Sequence, residues 1–158
     1  MAAISVVVAG PDRNARTACR DLLRGEDRVR VIGEARGGLE TLAMVGMLKP
    51  RILVMDLALS PAQGRPLLPA IRQKNPGTRV ILLTDAGPEV RILDALSLGA
   101  HGCIDWSAVE RQLGAAVRAV DAGEAWIPRR MVAKLMDRLA ALYREPAVRS
   151  RATPRGSA

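Results

Sequence analysis

The sequence predicts an α/β protein: a doubly wound parallel sheet of five strands with helices on both faces, followed by one further helix. Three observations predict it. Short Val- and Ile-rich runs alternate five times with amphipathic stretches of helical length, the arrangement of strand–helix units that builds a parallel sheet. The first run, Ile4–Ala9, is apolar and continuous instead of alternating, as a strand buried on both faces is. The runs deliver Gly10, Asp56, Thr84 and Asp105 to the strand ends, where such sheets form their sites.

The elements follow in order. Ile4–Ala9 (ISVVVA) reads as the first strand, and Asp12–Arg24 as a helix with Ala15, Ala18, Cys19, Leu22 and Leu23 on one face. Val29–Ala35 is the second strand, with Arg30 marking a solvated side, and Gly37–Leu48 is a helix stopped by Pro50. Ile52–Met55 is the third strand and ends on Asp56. The next helix begins near Pro66, a residue that a first turn tolerates. Pro69, late in that turn, is expected to strain or delay the start. After the turn Asn75-Pro76-Gly77, Val80–Leu83 is the fourth strand and ends at Thr84 and Asp85. Pro88–Leu98 is a helix closed by Gly99, and Gly102–Ile104 is a short fifth strand. Ser107 is expected to cap the helix that runs to Ala122.

A sixth helix is predicted from about Pro128 to Tyr143. Val132, Leu135, Leu139 and Leu142 are spaced 3-4-3, as in a coiled-coil seam, and Met131, Met136 and Tyr143 widen it. Two heptads are few, so packing on the chain's own domain and dimerisation stand as equal alternatives. The last stretch, EPAVRSRATPRGSA, reads as a flexible basic tail.

Composition narrows the function. Apolar residues make up 49% of the 158, enough for a packed core. The net charge is +8, and all but three of the 24 basic residues are arginines. They are scattered, and only Arg144, Arg149, Arg151 and Arg155 cluster, so a nucleic-acid face is not indicated. Two Trp, one Tyr and no Phe leave little surface for stacking bases. Cys19 and Cys103 lack metal-ligand spacing and are expected as buried, reduced thiols. The first residues lack a charged leader and no run is long enough to span a membrane. A cytoplasmic protein without membrane association is expected.

Several stretches, in their order and spacing, resemble the receiver domain of NarL/FixJ-type response regulators. They are VRVIGEARGGLETL, KPRILVMDLALSPAQG, VILLT, LSLGAHGCI and AVDAGEAWIP, and the likeness covers roughly residues 4–143. The last is the most distinctive, being similar to the joint between receiver and output domain. The resemblance implies a flavodoxin-like, CheY-like (βα)₅ fold. It divides the chain into a receiver-like domain (1–123), a linker and dimerisation helix (124–144) and the tail (145–158). It also implies roles: Asp56 matches the phosphoacceptor, Thr84 the hydroxyl that senses the phosphoryl group, and Gly64 the glycine of the following loop. Such a carboxylate attacks a phosphoryl group while a hard cation and hydrogen-bond donors stabilise its oxygens.

The departures from the family bear on function. The acidic pair that holds Mg²⁺ in the family aligns with Gly10 and Pro11, neither of which offers a carboxylate. A Mg²⁺ site would have to rest on Asp12 and Asp56. The family's lysine aligns with Trp106, which has one N–H donor and no charge. The switch aromatic aligns with Cys103. The loop position usually held by Pro is Ser60, with Pro61 one step later.

The expected function is that of a signal-transduction receiver in a transcriptional response regulator, and not an enzyme. Its state is expected to be set by a partner or ligand, or by dimerisation through Val132, Leu135, Leu139 and Leu142, with Trp106 covering the Asp56 pocket. Efficient phosphorylation of Asp56 is not expected, because the cationic machinery is missing. One alternative is a phosphorylation-competent receiver in which Asp12 assists Asp56 in holding Mg²⁺. Another is a nucleotide-binding α/β enzyme, for which AGPD after the first strand is a weak substitute for a glycine-rich phosphate loop. His101 is expected at the surface and Asp105 as a strand end. Thr153-Pro154-Arg155 resembles the opening of a LuxR-type helix-turn-helix. DNA would then be reached only through an output domain absent from these residues, the chain being a receiver cut from a longer regulator. A homodimer and a sensor kinase or regulatory protein are the implied partners.

Overall fold

A computed structural model describes residues 2–59, 66–85 and 89–152, with side chains described through Tyr143. Five parallel strands, β1 (Ile4–Ala9), β2 (Val29–Ala35), β3 (Ile52–Asp56), β4 (Arg79–Thr84) and β5 (Gly102–Asp105), form one sheet in the order β2-β1-β3-β4-β5. The helices are α1 (Arg13–Arg24), α2 (Gly38–Leu48), α3 (Leu67–Lys74), α4 (Glu89–Ser97), α5 (Val109–Asp121) and α6 (Arg129–Ala152). The doubly wound (βα)₅ architecture expected from the sequence is the one observed.

Strand residues alternate between two cores, as the period of two requires. Val7, Leu53, Met55, Leu82 and Cys103 face α2, α3 and α4 together with Met131 of α6. Val6, Val8, Val54, Ile81, Leu83 and Ile104 face α1 and α5, meeting Cys19, Leu23, Leu113 and Val117. Because both faces are covered, the inner strands read as nearly continuous apolar runs, while the edge strand β2 leaves Arg30 exposed. The β1–β2 register shifts between Val6 and Val7, so β2 has one extra residue against β1. Gly99 closes α4 at φ +110°, a left-handed conformation natural to glycine.

Four local expectations are corrected. Pro69 neither strains nor delays α3. It is the third residue of the helix, where the backbone N–H has no intrahelical acceptor and its loss costs nothing. Ser107 does not cap α5. Asp105 instead caps a single 3₁₀ turn, Trp106–Ala108, and Ser107 donates to it from both N (2.9 Å) and Oγ (2.7 Å). His101 is half-buried, and its Nδ1 accepts the N–H of Val80 at 3.2 Å.

The fourth concerns the tail. The helix expected to end at Tyr143 continues to Ala152, since Arg, Ala and Glu favour helix even with Pro146 removing one donor. Thr153-Pro154-Arg155, Ser60, Pro61, Gly64 and Pro88 lie outside the described residues.

The predicted seam on α6 divides. Met131 is fully buried and Leu135 half-buried against the core beside α4, while Val132, Leu139 and Leu142 are exposed, as are Met136 and Tyr143. Lys134 binds Glu89, and Arg138 binds Asp94, tying the helix to α4.

Candidate functional site

The carboxyl ends of β1, β3, β4 and β5 bring the predicted residues to one edge of the sheet. Asp56 ends β3 half-buried, and its Oδ1 accepts the N–H of Ala58 at 2.8 Å, forming a tight turn into the loop. Thr84 ends β4, directly opposite Asp105 of β5 in the register. Thr84 is buried, and its Oγ1 lies 3.9 Å from the Sγ of Cys103. Trp106 follows Asp105 and lines a cavity of about 10 Å³ that Asp56, Gly10, Arg16 and Cys19 also line, room for roughly one water. The structure therefore brings Trp106 to Asp56 at this cavity, sets Thr84 against Cys103, and lines a second cavity with Asp56 and Thr84 together.

Two arginines that sequence reasoning passed over line the cavities on either side of Asp56. Arg16, on the inner face of α1, is only 7% exposed, and its Nη1 donates to the carbonyl of Gly10 at 2.6 Å. A Cβ on Gly10 would stand 3.3 Å from Cβ of Asp56 and 3.9 Å from Cγ of Arg16, so both side chains close on that glycine. Arg16 Nε lies 3.7 Å from Glu34 Oε1 and has no hydrogen-bond partner, while Arg20 Nη1 holds the other oxygen of Glu34 at 2.9 Å. On the other side of Asp56, Arg91 from α4 lines a cavity of about 80 Å³ with Asp56 and Thr84, its Nη2 3.5 Å from the carbonyl of Leu57. Arg16 falls three residues before Cys19 and seven before Leu23, on the apolar stripe. A charge at that spacing was the available signal.

Asp12 does not turn inward. It is exposed, and its Oδ1 accepts the N–H of Asn14 at 2.9 Å, capping α1 from an extended backbone. The thiol of Cys19 is pushed up to about 12 by burial and, secondarily, by the charge of Asp56. Burial likewise raises Cys103, opposed by the Thr84 hydroxyl. Asp105 is held below the usual carboxylate range, first by the side chain and then by the backbone N–H of Ser107. Cys19 and Cys103 are buried and free.

Residues 6–118 match the family model of the response regulator receiver domain. The chain belongs to that family. The receiver is 30% identical over 135 residues to the oxygen regulatory protein NreC of Staphylococcus carnosus, covering 85% of this chain and 62% of the relative. It is 29% identical to the DNA-binding transcriptional activator DevR/DosR of Mycobacterium tuberculosis, covering 86% and 63%. The chain thus spans just over three fifths of the length of these relatives. Among solved structures, a LuxR-family two-component response regulator from Aurantimonas superposes with a TM-score of 0.76 at 22% identity, covering 88% of this chain and 99% of that one. The isolated receiver domain of RcsB from Salmonella enterica gives 0.73 at 20% identity, covering 84% and 98%. These two show the fold.

Receiver domains normally bind Mg²⁺ at the phosphorylation site, and the residues of this one do not fit it. Magnesium requires oxygen ligands near octahedral geometry, usually with one or two carboxylates. Gly10 and Pro11 supply none, the Gly10 carbonyl is taken by Arg16, and Asp12 is engaged at the N-terminus of α1. Among the described residues no group of three His, Cys, Asp or Glu could hold a metal ion, and no helix is long and apolar enough to cross a membrane.

Proposed function

We propose that this receiver works in a cytoplasmic, LuxR-type transcriptional response regulator as an association module, governed by partner or ligand binding or by dimerisation and not by efficient phosphorylation of Asp56. The observation that carries the reading is the seat of Arg16 on Gly10. A fixed cation stands where the receiver family has the carboxylates that recruit Mg²⁺. Phosphoryl transfer depends on positioning and charge neutralisation, and the metal and the lysine ordinarily supply both. Here Trp106 replaces the lysine and adds apolar surface to the Asp56 cavity.

The association surface is α6. Met131 and Leu135 anchor it to the domain, leaving Val132, Leu139 and Leu142 for a second copy of the chain. Residues 124–144 then act as linker and dimer helix. A sensor kinase or regulatory protein is the remaining partner class. DNA is reached through an output domain outside this chain, as the activator name of DevR/DosR and the coverage of the relatives suggest.

Sedimentation velocity tests the reading. Wild type and Asp56→Asn should both sediment as dimers at high micromolar concentration, with or without an acyl-phosphate donor and Mg²⁺. A wild-type monomer removes the dimer. A dimer formed only with donor and Mg²⁺ restores phosphorylation as the control.

A further inference from the structure

A cavity of about 470 Å³ opens between the ends of β4 and β5 and the chain entering α6. That volume falls within the range of ligand pockets, roughly 300–1,000 Å³. Thr84 and Cys103 line it from the sheet, Ile92 from α4, and Trp126, Ile127 and Met131 from the approach to α6. It lies where Cys103 stands in place of the larger aromatic that receivers carry.

The Trp126 wall is fixed in place. The backbone N–H of Trp126 donates to His101 O at 3.1 Å, and its carbonyl accepts from Cys103 N at 2.8 Å. Its indole Nε1 donates to Gln112 Oε1 at 3.4 Å. The segment before α6 is thereby bonded to β5, and a pre-formed pocket spares a ligand the cost of ordering its own walls.

Charge sets the class of ligand. Asp85, Glu89 and Asp105 reach the cavity against the single cation Arg130. Arg130 and Lys134 are both paired with Glu89. Among the described residues Asp85 and Asp105 have no ion-pair partner, and the Ser107 hydrogen bonds keep Asp105 ionised.

We propose that this cavity binds a small amphipathic cation, an aromatic or branched aliphatic body carrying a protonated amine. The body packs against Trp126, Ile92 and Met131, with cation–π attraction from the indole. The ammonium meets Asp85 and Asp105. Thr84 and Asp85 also line the cavity beside Asp56, and Met131 anchors α6. Occupancy therefore bears on the sensor position and on the dimer helix together. The proposal rests on the reading that ligand or partner binding governs the domain, and supplies that ligand's chemistry.

Trp126 emission in a Trp106→Phe background reads occupancy directly. Three probes share one aromatic body: 2-phenylethylamine, 2-phenylethanol and 3-phenylpropionate. The amine should give a saturable shift below ~10 mM, with the alcohol weaker by about tenfold or more and the carboxylate silent. Cys103→Phe, which fills the cavity, should abolish the response, as should Ile127→Phe if the first variant does not fold. Asp105→Asn, which retains the cap, should narrow the preference for amine over alcohol. No saturable response to the amine, a stronger response to the carboxylate, or binding unchanged in the filled variants would overturn the proposal. Phosphorylation of Asp56 is read by mass and leaves this titration untouched, so either reading can fail alone.

Discussion

Arg16 donates from Nη1 to the carbonyl oxygen of Gly10 at 2.6 Å, placing a buried guanidinium at the end of β1 beside Asp56. This contact fixes a positive charge, paired with Glu34, at the end of β1. Arg16→Met should leave the Gly10 carbonyl unpaired and Glu34 with Arg20 alone. A loss of about 2 kcal/mol is expected in urea unfolding, the scale of a charge-assisted hydrogen bond. Wild-type protein should show no saturable change in tryptophan emission up to ~10 mM Mg²⁺, a concentration that would fill a site of millimolar affinity.

Met131 is the deepest anchor of α6, fully buried among the residues that cover β4 and β5. Met131→Ala should destabilise the domain by about 2–5 kcal/mol, through lost burial and the cavity left behind. Hydrogen exchange should place the loss of protection in α6 first. Unchanged protection there would mean that the helix is held by its ion pairs to α4 alone.

Leu139 is 43% exposed and makes no part of the described core. Leu139→Glu should therefore alter monomer stability by less than about 0.5 kcal/mol. In a dimer it would bury an unpaired charge, so sedimentation should shift to monomer. A dimer that survives this change uses another face.

His101 ties pH to stability. Its Nδ1 accepts the Val80 N–H, and burial, followed by the charges of Arg79 and Arg72, pushes the imidazole below its ordinary value. The unfolded chain takes up a proton near pH ~6.5 while the folded ring stays neutral. The unfolded state then binds more protons, and stability falls as pH drops from there through the lowered folded value. His101→Gln, which keeps an acceptor for Val80, should remove this component from urea midpoints measured across that interval.

The sheet was legible because strands buried on both faces leave continuous Val- and Ile-rich runs, and their observed bounds differ from the expected ones by two residues at most. Asp56 and Thr84 were legible as strand ends once the order of elements was read. Other features were not, each for a physical reason. Arg16 reads as solvated in a charged helix, and only its spacing to Cys19 and Leu23 reveals that it faces inward. Arg91 reaches the cavity beside Asp56 from α4, far along the chain, a placement that exists only in the folded sheet. Asp105 and Ser107 both suit a helix start, and only the 3₁₀ turn between β5 and α5 decides which one caps. The cavity at Cys103 follows from how α6 returns to β5, which no local pattern encodes.

Intact-mass analysis reads whether Asp56 accepts a phosphoryl group. Wild type and Asp56→Asn would each be incubated with a small acyl-phosphate donor and Mg²⁺, with folding checked by circular dichroism. Unchanged mass is expected in both. Gain of one phosphoryl group by the wild type alone would contradict that expectation, and would mean that Asp56 is a working phosphoacceptor despite the Gly10-Pro11 pair and Trp106.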